Sequence, residues 1–131
     1  MRTFRFDKLV RDKIVASQQE EGSISDYRIL TDDEYVQELL KKLAEEGAEI
    51  DPKAPRDELL SELADLQEVI DCLLVAIKSS KSELTERQQK KNKKAGSFGR
   101  RMYIHTVTID ENNPWVRHYR ENPDRYPEVK T

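Results

Sequence analysis

At 131 residues the chain can bury one modest core but not two independent ones, so a single domain over 1–131 is expected. Charged residues make up 37% of it against 36% hydrophobic, which forces the apolar side chains onto a few well-patterned faces and makes oligomerisation a natural way to cover them. No run approaches the roughly 20 apolar residues of a membrane span, the opening residues lack the apolar stretch of a secretory signal, and the lone Cys72 can neither close an internal disulfide nor find a second thiol for zinc. These features exclude a membrane protein and a disulfide scaffold, and point to a cytoplasmic location.

Residues 4–14 mix apolar and charged side chains without a clean period and read as an extended start passing into a short helix. A loop follows at 22–26, and residues 27–30 have the composition of a short strand. Thr31 or Asp32 then offers an N-cap, with acids in the first turn where the helix dipole favours them. From about Asp33 to Ile50, Val36, Leu39, Leu40, Leu43 and Ile50 recur at three- and four-residue steps, which predicts a first long helix.

The stretch 51–56 carries Pro52 and Pro55 and should reverse the chain into a second long helix over about 56–80. That helix has an apolar arc, from Leu59 and Leu60 through Ile77, wider than a surface helix needs, so it is expected to be the most buried element. Ser82 can cap a third helix reaching about Lys94, with Gly96 placed to end it. Residues 101–109 alternate in a β-like way and are the natural partner of 27–30 in a small two-stranded element. The tail over 110–131, with Pro114, Pro123 and Pro127 among Trp115, Tyr119 and Tyr126, looks irregular apart from one short helical turn. The expected architecture is mainly α, an antiparallel helix bundle with core at about 8–104.

A net charge of −3 conceals a polarity along the chain. Residues 31–71 hold fourteen acids against four bases, and residues 78–101 hold nine bases against two acids. The acidic stretch would repel a phosphate backbone, which argues against nucleic acid as a partner, whereas a small polyphosphate carrying a metal satisfies both segments.

The acids also fall where the apolar pattern expects hydrophobic residues. Glu46 borders the stripe of Leu39, Leu43 and Ile50, with Glu49 one turn on, while Glu45 faces nearly away; Glu62 and Asp65 line up with Val69. Four carboxylates converging between two packed helices repel one another unless cations compensate them, and an all-oxygen donor set suits magnesium, with manganese as a substitute.

Glu45-Glu46-x-x-Glu49 and Glu62-x-x-Asp65 together resemble the signature of the MazG-like all-α nucleoside triphosphate pyrophosphatases. Lys8-Leu9-Val10-Arg11-Asp12-Lys13-Ile14 and Lys90-Lys91-Asn92-Lys93-Lys94-Ala95-Gly96-Ser97-Phe98 resemble its phosphoribosyl-ATP pyrophosphohydrolase-like subgroup. The resemblance implies that Glu46, Glu49, Glu62 and Asp65 ligate magnesium, and that Glu45 orients or deprotonates the attacking water. It implies an Mg-dependent hydrolase that converts a nucleoside triphosphate to monophosphate and pyrophosphate, a house-cleaning activity, in a homodimer or higher homo-oligomer. The histidine-pathway pyrophosphatases usually carry Tyr-His after the second acidic motif, where this chain has Leu66-Gln67-Glu68. That substrate and a non-catalytic nucleotide- or metal-binding module are the alternatives. The basic third helix supplies cations for the leaving pyrophosphate, with Lys91 and Lys94 one turn apart and Arg101 beyond them as the favoured set, a solvated face or a nucleic-acid contact being the competing readings. Lys8, Arg11 and Lys13 stand under the same competing readings, and a structural ion pair of Arg11 with Asp12 that anchors the N-terminus is one of them.

Overall fold

The computed structural model describes residues 1–130, and five helices lie among them: α1 (Ile14–Glu20), α2 (Asp32–Glu49), α3 (Arg56–Ala76), α4 (Lys81–Ala95) and α5 (Trp115–Glu121). The described residues divide into two compact units, one ending at Lys94 and the other beginning at Ala95. Among the described residues no helix is long and apolar enough to cross a membrane.

Thr31 caps α2 through a reciprocal box. Its Oγ1 accepts from the Glu34 N–H at 3.3 Å, and its own N–H donates to Glu34 Oε1 at 3.2 Å. Arg28 adds a bidentate grip on the same carboxylate, with Nη1 donating to Oε1 at 2.9 Å and Nη2 to Oε2. Hydrogen bonding from Arg28, then from the Thr31 backbone and hydroxyl, holds the Glu34 carboxyl down at about 2. A depressed carboxylate contributes stability that is fully present above its ordinary pKa and is lost as pH falls through the folded value. Melting temperatures of the wild type should therefore carry a component that falls between about pH 4.5 and about 2, and Glu34→Gln should lack it. Identical pH profiles would remove this cap from the account.

The turn after α2 closes as the prolines require. Lys53 N–H donates to Asp51 Oδ1 at 2.9 Å, Ala54 N–H to the Asp51 carbonyl at 3.0 Å, and Pro55 enters α3. So short a connection makes α2 and α3 an antiparallel hairpin, and these two are the packed helix pair of the first unit. Leu39 on α2 and Val69 and Leu74 on α3 are the buried hydrophobic residues among those described. The apolar arc of α3 exceeds what α2 covers, since Leu60, Leu63, Val75 and Ile77 stay exposed.

α3 ends four residues before the expected boundary, in a Schellman motif. Ser79 N–H donates to the Leu74 carbonyl at 2.8 Å, Lys78 N–H to Val75 at 3.0 Å, and Lys78 sits at φ 60. α1 ends in the same way, with Gly22 at φ 88 in the equivalent position. A side chain in this left-handed conformation costs about 1 kcal/mol. Lys78→Gly should raise stability by about that amount in denaturant unfolding, and a loss of stability would contradict the motif.

The expected two-stranded element does not form, and no strand occurs among the described residues. Arg28 is held by Glu34 on the helix cap, and Tyr27 and Ile29 face solvent. Met102, Tyr103, Ile104 and Val107 are likewise exposed, so the alternation at 101–109 has no surface to bury against. A two-stranded ribbon without cover is not stable in water. In the second unit the tail is more ordered than expected: Trp115, His118, Tyr119 and Tyr126 form a chain of aromatic contacts around α5, with ring centroids 4.9–6.2 Å apart, Trp115 stacked on Tyr119 and the other pairs edge-on or tilted.

Candidate metal centre

Leu39, Leu43 and Glu46 recur at heptad spacing on the inner face of α2, so the register that buries Leu39 also turns Glu46 toward α3. Glu62, Asp65 and Val69 do the same on α3, where burial of Val69 aims the two acids at α2. The result is a half-buried triad of Glu46, Glu62 and Asp65, with one carboxylate oxygen from each within 4.8 Å of the others. Three carboxylate oxygens this close form an all-oxygen donor set of the kind hard divalent cations take, although octahedral magnesium, with ligands about 3 Å apart when adjacent and about 4 Å when opposite, would draw them closer together.

Two cations offset part of this charge. Arg11 Nη2 donates to Asp65 Oδ1 at 2.7 Å, bridging the N-terminal segment to α3 across 54 residues of sequence, and Lys42 Nζ lies 3.8 Å from Glu46 Oε1 on α2. Arg11 therefore pairs with Asp65 and not, as expected, with its neighbour Asp12. Both partners are about half exposed, at 61% and 45% of their side-chain surface, so the pair adds at most about 1 kcal/mol to stability. Its consequence is positional, since it sets a guanidinium beside the acids.

Glu45 and Glu49 are exposed and lie outside the triad. They line a groove of about 290 Å³ with Glu38, Lys41 and Lys42 of α2 and with Phe6, Asp7 and Lys8. Lys42 belongs to this groove and to the ion pair with Glu46, so the groove and the triad adjoin. A wider depression of about 510 Å³ in the second unit is lined by charges that pair among themselves, Arg117 with Glu121 at 2.8 Å and Arg120 with Glu111 at 3.6 Å.

The basic residues expected to serve this site are placed otherwise. α4 is exposed along its whole length, and among the described residues Lys91 and Lys94 form no ion pair with the carboxylates. Arg101 belongs to the second unit, at φ 60 in a turn closed by its N–H to the Phe98 carbonyl. Lys42 and Arg11 hold the places beside the acids. The first was readable as an i, i+4 partner of Glu46, while the second carried no local signal. Cys72 is half-buried beside Tyr35, whose pKa rises through burial first and then through this thiol.

No protein-family model matches the sequence, and neither a curated protein nor a solved structure does, so a functional reading rests on the geometry of these side chains.

Proposed function

We propose that the chain is a MazG-like nucleoside triphosphate pyrophosphohydrolase, carried by one observation: three carboxylates from two packed helices converge within 4.8 Å. Glu46, Glu62 and Asp65 would hold magnesium, or manganese in its place, with Glu49 on the adjoining turn as the further acid the resemblance implies. The ion supplies charge neutralisation for the phosphates and acidifies water. Glu45, exposed in the groove, is the group to orient or deprotonate the water that attacks the α-phosphorus. Arg11 and Lys42, which pair with Asp65 and Glu46, are assigned to the phosphate oxygens in place of Lys91, Lys94 and Arg101, the set that the sequence favours. The reaction fits house-cleaning of nucleotide pools. A homodimer or higher homo-oligomer would complete the helix bundle by covering Leu60 and Leu63.

The test is incubation with magnesium and a panel of nucleoside triphosphates, with pyrophosphate and orthophosphate detected separately. Magnesium-dependent pyrophosphate release is expected, and orthophosphate as the sole primary product would contradict the reading. Charge-assisted bonds to phosphate contribute roughly 1.5–3 kcal/mol each, so Arg11→Ala with Lys42→Ala should lower kcat/KM by two orders of magnitude or more. Unchanged efficiency would remove both residues from the site.

A further inference from the structure

We propose that α4 is a docking helix for duplex nucleic acid, gripping the phosphate backbone through a stripe of Arg87, Lys90, Lys91 and Lys94. α4 carries six cations against two acids and is exposed throughout. At about 100° per residue the four stripe residues fall within an arc of about 100°, and at about 1.5 Å per residue they cover about 10 Å of helix. Measured along the axis of a duplex, which carries one phosphate charge per about 1.7 Å over its two strands, that length spans about six phosphates, more than enough for four cations.

Little on the helix competes for these charges. Lys90 has an exposed partner, Glu86 at 3.6 Å, and among the described residues Arg87, Lys91 and Lys94 form no ion pair. The face away from the stripe carries Gln88, Gln89 and Asn92, whose amides hydrogen-bond to phosphates and base edges alike.

The composition also selects the kind of polyanion. After Leu84 the helix has no large apolar residue, so it lacks the face that an interfacial helix buries in lipid. It has no aromatic residue on which single-stranded bases stack. What remains is regularly spaced charge met by regularly spaced charge. The fourteen acids of 31–71 repel the same polyanion, which confines the contact to α4 and keeps it weak.

Fluorescence anisotropy of the full chain with a labelled duplex of about 20 base pairs tests the proposal, in EDTA so that magnesium plays no part. Four phosphate contacts give a slope of log K against log salt near −3.6, so affinity should fall about 10²-fold between about 50 and 200 mM salt. Replacing Arg87, Lys90, Lys91 and Lys94 with Gln should abolish binding. If circular dichroism shows that this variant loses helix, Lys91→Gln with Lys94→Gln, which should flatten the slope by about 1.8, decides instead. Lys53→Gln with Arg56→Gln, two exposed cations elsewhere, should change nothing. No binding at low salt, a slope unmoved by the stripe variants, or tighter binding to single strands or anionic vesicles would overturn the proposal. All of these outcomes are independent of nucleotide hydrolysis.

Discussion

Glu62→Gln is expected to lower turnover by at least about 10³-fold while leaving the protein as stable as the wild type in EDTA, or slightly more so. Metal-assisted stabilisation of transition-state charge is worth several kcal/mol, and about 4 kcal/mol already corresponds to a thousandfold change in rate. Glu62 is the cleanest member of the triad to remove, because Glu46 and Asp65 also pair with Lys42 and Arg11 whereas Glu62 forms no ion pair among the described residues. Its amide keeps the shape of the side chain and relieves repulsion among three half-buried acids. Added magnesium should raise the wild-type melting temperature by mass action, and the variant should lose most of that rise. Activity and apo stability thus move in opposite directions, which a general packing defect cannot produce. Wild-type turnover with an intact magnesium response would sink the assignment.

The second large effect is on folding. Leu39 is the most deeply buried hydrophobic residue among those described, 3% exposed, and it sits where α2 meets α3. Truncation of such a leucine to alanine costs about 2–5 kcal/mol, set against a total of about 5–15 kcal/mol for an ordinary domain. Val69 and Leu74 are the other two buried hydrophobic residues among those described, so few side chains share the load of holding the first unit together. Leu39→Ala should therefore unfold the first unit or lower its melting temperature by more than 10 °C, on the order of several degrees per kcal/mol. Leu40→Ala, one residue away and exposed, should be close to neutral. Equal effects at the two positions would mean that Leu40 is covered in solution and that the packing face is wider than one hairpin.

The sequence made the long helices legible because their burial is periodic. Leu39, Leu43 and Val69 mark the same faces in the pattern and in the structure, and the acids displaced onto those faces, Glu46, Glu62 and Asp65, could be picked out on that ground. Where a local rule misled, a different interaction had taken the residue. Lys78 is a poor left-handed residue, so nothing announced that α3 would stop before it, although the backbone bonds from Ser79 and Lys78 satisfy the last carbonyls. The alternation at 101–109 promised a strand, but alternation stabilises one only when its apolar side is covered.

The basic residues were the least legible part of the site. α4 has almost no apolar face, so its sequence specifies a helix without specifying what it packs on, and Lys91 and Lys94, expected beside the acids, form no ion pair with them among the described residues. Arg11 reaches Asp65 across 54 residues, a contact that no spacing rule predicts, while an adjacent Asp12 offered a nearer partner that the side chain does not take.

Hydrolysis of the preferred triphosphate in water enriched in oxygen-18, with both products weighed by mass spectrometry, tests the central claim most directly. Attack on the α-phosphorus by water held beside Glu46, Glu62 and Asp65 places one heavy oxygen in the nucleoside monophosphate and none in the pyrophosphate. Label in the pyrophosphate, or release of orthophosphate from the triphosphate without a labelled monophosphate, would contradict it.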